Sequence, residues 1–388
     1  MANTGIAMGN VDQALQVFDF SGGRNSYDPE FLVAQNQSID CQNINLLDRG
    51  FEKRRGNTAH NSSVMVNATT AITGMGYIKF NSGTEFLNAV AGTKFFTDSS
   101  LSGTMADATG GITITTGQNN KWTPVIYNNL QIWFGGAPDA PFKYSGLGNA
   151  VALGGSPPSA RKAFVANNRV FAVRTDANPS RIHWTILSNP EDWTGTGSGN
   201  ADVNKNDGED LLTGIVLNAD IALLFKNTST HYMFLSQAPF AIFQIQSGVG
   251  AAGPDAVINV DGTIYFITPQ KRMKSTTDGK TFQEYPNAVN DLWDSMSATR
   301  FPYIHGIYYQ ALYQIHWFVS TGGTNDISII WDTKRKAWLY HSTGFKANTA
   351  ALVKNRLLYT GHYNGKLFQQ DVSGTYTDAS ETSPGAID

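Results

Sequence analysis

Six of the seven histidines, His183, His231, His305, His316, His341 and His362, lie in the strand-rich part of this sequence and are by type suited to hold a metal or move a proton. They are scattered, with no H-E-x-x-H spacing, so no zinc site is expected. His316 alternates with aromatic and apolar neighbours in LYQIHWFV and reads as a strand histidine satisfied in the core. The chain has one cysteine, Cys41, which excludes an intrachain disulfide and a cysteine-based zinc site. Cys41 stands among Gln and Asn with no basic neighbour to lower its pKa, and no catalytic role is expected. There is no G-x-S-x-G and no GxxxxGK[ST] loop, and the Gly-rich SGVGAAGP (247–254) lacks a strand leading into a helix. No enzyme activity, cofactor or metal is expected.

Two charged stretches remain. In ADVNKNDGED the residues Asp202, Asn204, Asn206, Gly208 and Asp210 alternate like calcium ligands. The twelfth position is Thr213 instead of glutamate and the glycine comes one residue late, so a polar turn is expected. The run 49–56 contains Arg49, Lys53, Arg54 and Arg55. It reads as a solvated or salt-bridged hairpin, or as a contact to a subunit or to phosphate. These eight residues, Arg49, Lys53, Arg54, Arg55, Asp202, Asn204, Asn206 and Asp210, are the candidates for assembly contacts.

The elements that position them are strands. The chain has 388 residues, 41% hydrophobic and 12% aromatic, with 38 glycines and 15% charged residues, below the usual quarter. A net charge of −3 argues against a dedicated nucleic-acid binder, though a nucleic acid could slide past such a surface. No apolar run reaches 18 residues, so no transmembrane helix is expected, and the start lacks the features of a signal peptide. From about residue 70, clusters of short strands recur every 40–50 residues, as propeller blades do. The first is ITGMGYIKF, TEFLNAVA, TKFFTDS and a weak ITITT; the third ends in SRIHWTIL and the Trp193 turn. The seventh, TAALVKN, RLLYTGH and GKLFQQD, lacks a fourth strand.

Polar links precede the most apolar strands: Asn128-Asn129, Asn167-Asn168, Asn218-Ala219-Asp220, Asp261-Gly262 and Asn355. These residue types tolerate positive φ and favour tight hairpins. Trp133, Trp184, Trp317 and Trp331 lie inside apolar strands and are expected in the core. The reading is an all-β propeller of six or seven four-stranded blades with an extended N-terminal arm. Residues 1–65 are the arm and closure segment, 66–373 the propeller and 374–388 an extended tail. Residues 40–70 are the expected donor of the missing strand. The stretch 195–210 is expected to be a long loop between blades, and VDQALQVFDF (11–20) a short helix or strand.

The arm carries a resemblance. Phe20, Gly22, Gly23 and Asn25, then Asn36, Gln37 and Asn43, then Arg54, Arg55 and Gly56 follow the order F-x-G-G-x-N, N-Q-s-x-x-x-x-N and K-R-x-G. This resembles the N-terminal signature of bacteriophage tail proteins of the nozzle or packaged-DNA-stabilisation type. RIHWTILSNPEDWTG, LFKNTSTHYMF and INVDGTIYFIT are similar to the propeller portion of the same proteins. The resemblance implies a structural virion protein of the tail, assembled in the host cytoplasm. It implies a homohexameric ring around the DNA exit channel, retaining the packaged genome and conducting it at ejection. Its implied partners are portal or adaptor proteins, tail fibre or needle proteins and double-stranded DNA in passage, with no membrane. Separately, STTDGKTF (275–282) resembles the structural Asp-box hairpin of sialidase-type propellers. The alternative functions are a glycan-binding or glycan-cleaving tail propeller acting on the host surface, and a protein-binding scaffold outside phages.

Overall fold

A computed structural model describes residues 19–286, 288–342, 346–379 and the strand Gly385–Ala386. Residues 11–18 of the stretch read as a helix or strand lie outside the described residues. The chain forms seven four-stranded antiparallel sheets, which are seven blades. Blade 1 is Ile72–Lys79, Glu85–Ala91, Lys94–Ser99 and Ala106–Asp107. Blade 2 is Thr123–Tyr127, Leu130–Phe134, Phe142–Tyr144 and Val151–Ala152. Blade 3 is Ala160–Ala166, Arg169–Thr175, Arg181–Trp184 and Gly199–Asp202. Blade 4 is Thr213–Val216, Ile221–Phe225, Ser229–Phe234 and Ile242–Ser247. Blade 5 is Val257–Val260, Thr263–Ile267, Met273–Thr276 and Gln283–Glu284. Blade 6 is His305–Tyr309, Gln314–Val319, Ile327–Asp332 and Ala337–His341. Blade 7 is Thr349–Val353, Leu357–Gly361, Leu367–Gln369 and, from the arm, Thr58–Ala59.

The first strand of every blade packs beside the first strands of its two neighbours, closing a ring about one axis. The second strands read as unbroken apolar runs because both faces are covered. In IALLF, Ala222 and Leu224 face blade 3 while Leu223 and Phe225 face blade 5. Trp133, Trp184, Trp317 and Trp331 are all buried as expected. Four of the five links also behave as read. Asn128 and Asn129 have φ of 43° and 54°, and Asn167 and Asn168 42° and 55°. Asp261 and Gly262 lie at 49° and 86° and Asn355 at 58°, whereas Asn218-Ala219-Asp220 turns without a positive φ.

Two strand assignments need correction. ITITT is not a strand: the fourth strand of blade 1 is Ala106–Asp107, while Ile114 plugs the core between blades 1 and 2. Thr115 hangs by its N–H and hydroxyl from the Asp139 carboxylate, both at 2.8 Å. The stretch 195–210 is not all loop, because Gly199–Asp202 is the fourth strand of blade 3.

Blade 7 receives its fourth strand from the expected segment. Thr58 pairs with Gln369 and Ala59 with Phe368. The arm before it lies along blade 6. A hairpin of Ile44–Leu46 and Phe51–Lys53 packs Leu46 onto Ile330 and Leu339. Its turn is pinned where Asp48 meets Lys334 at 2.9 Å and Arg335 at 3.0 Å. Arg54 is 1% exposed, with Nε donating to Asn43 Oδ1 at 3.0 Å and both terminal nitrogens donating to the Asp378 carboxylate. The tail strand Thr377–Asp378 thus holds the arm at the point where it enters blade 7, and pairs with Gly385–Ala386.

A buried ion pair broken on one side leaves the other charge uncompensated, at about 3–5 kcal/mol. Arg54→Met is therefore expected to lower unfolding free energy by about that amount. Arg54→Met with Asp378→Leu should regain most of it. Denaturant titration of the three proteins checks this; a single variant as stable as the parent would contradict it.

Candidate functional site

The eight candidate residues do not form one site. Arg49, at the hairpin turn, and Lys53, at its end, are exposed. Arg54 is inside the latch just described. Arg55 is half-buried in the cleft between blades 6 and 7, with Tyr309 and Asp371. Asp202 pairs with Arg181 at 2.6 Å and Lys205 at 3.3 Å, 3 residues along. Asn204 is left-handed at φ 45°, and its carbonyl accepts from the buried Lys226 Nζ at 3.1 Å. Lys226 Nζ also sits 2.8 Å from Asp207. Asn206 is exposed, and Asp210 pairs with Arg174 at 2.6 Å. The oxygens of this turn are met by side-chain cations, as a polar turn requires. Among the described residues no group of three or more His, Cys, Asp and Glu is placed to hold a metal.

The Asp-box stretch is a built hairpin. Asp278 Oδ1 accepts the N–H groups of Lys280 and Thr281, each at 2.8 Å, and these hold its carboxyl down at about 2. Gly279 is left-handed at φ 69°, and Phe282 packs edge-on against Phe266. Burial pushes the Cys41 thiol up to about 11, which keeps it protonated.

The charged groups that do converge lie on the axis, at the end where the first strands begin. Lys162, opening blade 3, reaches past blade 4 to Asp255 before blade 5, at 2.5 Å. Lys121, before blade 2, reaches past blade 1 to donate to the carbonyl and the amide oxygen of Asn348, before blade 7. Arg300, before blade 6, donates to Asn119 across the axis and to the Tyr363 hydroxyl at 3.1 Å. These cross-links plug the axial pore at this end. Burial opposes the charge on Asp255, but Lys162 and His305 outweigh it and hold the carboxyl well below its ordinary range. Burial pushes the Lys121 amine well below its ordinary value; Asp255 opposes this, while Arg300 and Lys162 add to it.

Beside the plug lies a cavity of about 610 Å³ lined by Asn119, Asn120, Lys121, Arg161, Lys162 and Arg174 among others. Sequence reading passes over Lys121, Lys162, Asp255 and Arg300. The signal that finds them is register: a charged residue stands at or just before the first strand of several blades.

The sequence matches no protein-family model and no curated protein. Solved structures are similar in fold. A catalytically inactive virginiamycin B lyase from Staphylococcus aureus with quinupristin aligns at TM-score 0.54 and 12% identity, over 80% of this chain and 98% of its own. YCF48 bound to D1 peptide aligns at 0.53 and 10%, over 87% and 100%. The Cps50 (Swd1) β-propeller domain from Myceliophteria thermophila aligns at 0.53 and 10%, over 82% and 100%. The chain is a seven-bladed β-propeller. At such identities the likeness shows the fold alone.

The histidines serve the propeller's interior. His316 is enclosed, with Nδ1 at 3.0 Å from the Ser328 hydroxyl and Nε2 at 3.2 Å from Gln314 Oε1. Burial, then Arg54, pulls it to about 3. Burial likewise pulls His362 to about 3 and His183 and His231 to about 4. The folded chain thus refuses protons that the unfolded chain accepts below about 6.5. Stability is therefore expected to fall as pH drops from about 6.5 toward 4. The denaturation midpoint across that range is the measurement, and a flat profile would contradict the assignment.

Proposed function

We propose that the protein is a structural, non-enzymatic component of a phage tail, whose copies form a ring around the DNA exit channel. In this reading six copies form the ring, adaptor or portal proteins sit on one side of it and fibre or needle proteins on the other. Its location is the virion.

The observation that carries the reading is the two-sided arm. Its inner side uses the residues of the tail-protein signature. A Cβ on Gly23 would stand 2.6 Å from the Trp338 carbonyl oxygen, and one on Gly56 only 1.9 Å from that of Thr377. Asn25 donates to Gln37 at 3.0 Å, and Asn43 Oδ1 accepts from the N–H of Ser342 at 3.1 Å. Arg54 is the latch. The signature residues thus fasten the arm to its own propeller. Its outer side is apolar: Phe31 is 85% exposed, Tyr27 64% and Leu32 62%. Large apolar side chains gathered on a surface are the ordinary mark of a protein contact.

The plugged axis adds a constraint. A major groove alone is about 12 Å wide. A duplex cannot pass through one propeller whose pore is crossed by Lys162–Asp255 and Lys121–Asn348. In a ring, the channel lies between copies.

Tyr27, Phe31 and Leu32 thus join the exposed Arg49 and Lys53 in the proposed assembly contact. Phe31→Asp with Leu32→Asp is expected to leave the thermal midpoint near the parent's and to abolish ring formation. Electron microscopy of the purified protein tests both statements. A ring with a central opening and six-fold symmetry in the parent, absent in the variant, supports the reading. A parent that is monomeric at every concentration, alone and with tail extracts, contradicts it.

A further inference from the structure

The axial cavity has a charge imbalance that its own residues do not resolve. Four basic side chains line it: Lys121, Arg161, Lys162 and Arg174. Three of them have carboxylate partners: Arg161 with Asp176 at 2.8 Å, Lys162 with Asp255 at 2.5 Å and Arg174 with Asp210 at 2.6 Å. Lys121 is different. Its Nζ meets the two oxygens of Asn348, both uncharged. Arg300, 6% exposed, stands behind the wall with its guanidinium 5.0 Å from the centre of the Tyr303 ring, which lines the cavity. Its partners, Asn119 and Tyr363, are also uncharged, and its Nε is buried with no acceptor among the described residues.

Against these two cations stands Glu209, a lining carboxylate outside any ion pair among the described residues. It accepts the N–H of Thr228 at 3.2 Å. With Lys121 and Arg300 both protonated the surplus at the site is positive, and without an anion burial drives the Lys121 amine toward its neutral form. A buried cation without a counter-charge is costly, and either loses its proton or acquires an anion.

We infer that this cavity is a binding site for a small oxyanion, a phosphoryl or carboxylate group, seated against Lys121 with Arg161 and Arg174 at its rim and the Arg300 charge behind the wall. The geometry suits this ligand class. The amides Asn119 and Asn227 also line the cavity and offer neutral donors. Its volume, about 610 Å³, exceeds that of a lone phosphate, so the oxyanion is the head group of a ligand that fills the remainder. The site tightens the axis from the inside, since it bridges residues that precede blades 2 and 6 with those opening blade 3. The inference stands whether or not the chain belongs to a tail.

The test is thermal denaturation of the full chain in chloride at constant ionic strength, with inorganic phosphate or succinate exchanged in. Binding to the folded state raises the midpoint with ligand concentration and saturates the site. Phosphate acting alone marks a phosphoryl head group, succinate alone a carboxylate, and either result or both supports the site. Lys121→Met is expected to abolish the saturable shift while melting at or above the parent's temperature in chloride, because the cost of burying that amine is gone. Should that variant fail to fold, Arg161→Gln at the open rim is expected to weaken the apparent affinity by about tenfold, the worth of one charge-assisted hydrogen bond. No saturable shift with either anion, or an unchanged shift in the variant that folds, would overturn the inference.

Discussion

Everything in this molecule depends on one short piece of strand pairing, Thr58–Ala59 against Leu367–Gln369. A ring of sheets covers the faces of its first and last blades only while its seam holds. Six blades here are each made from one continuous stretch of chain, and the seventh takes three strands from the C-terminal part and one from the arm. A two-residue strand cannot secure a seam by its own hydrogen bonds. The seam is therefore reinforced from both sides. Upstream, Arg54 is clamped by Asp378 and Asn43. Just downstream, His60 Nε2 lies 2.6 Å from Asp98 of blade 1, whose carboxylate also accepts from Ser102 and Gly103. The closing strand is thus tied to the tail, to blade 7 and to blade 1.

The same closure explains why the arm has two different sides. Its inward residues must approach backbone closely, which is why Gly23 and Gly56 stand where a side chain would collide. Its outward residues are free of that duty, and there Tyr27, Phe31 and Leu32 stand exposed. The axis is organised differently. It is crossed by side chains instead of backbone, and blades distant in sequence are joined there by Lys162–Asp255, Lys121–Asn348 and Arg300–Asn119. Closure at the seam and stitching at the axis together hold the blade faces against one another.

Much of the fold was legible in the sequence. The Asn-Asn and Asp-Gly links announced their hairpins because few residues adopt positive φ at low cost. The apolar second strands announced sheets covered on both faces. The missing fourth strand of the last cluster pointed to a donor within 40–70, and the strand lies there. What misled was shortness and local pattern. Ala106–Asp107 is too brief to show a period, whereas ITITT alternates well but uses Ile114 to fill a core. Gly199–Asp202 is polar and outermost, so it looked like loop. The basic run looked like surface because arginine is rarely enclosed; nothing near Arg54 in sequence reveals that Asp378 awaits it. The axial cluster leaves only a faint trace, a charge near the start of several blades, because its members lie far apart in sequence and meet only when the ring closes.

The most direct measurement of this account is amide hydrogen exchange of the purified chain, read by mass spectrometry over residues 57–61. If the arm closes its own propeller, these amides exchange as slowly as those of Leu357–Gly361 in the middle of blade 7. Exchange at the rate of an unstructured peptide, with the rest of blade 7 protected, would contradict it.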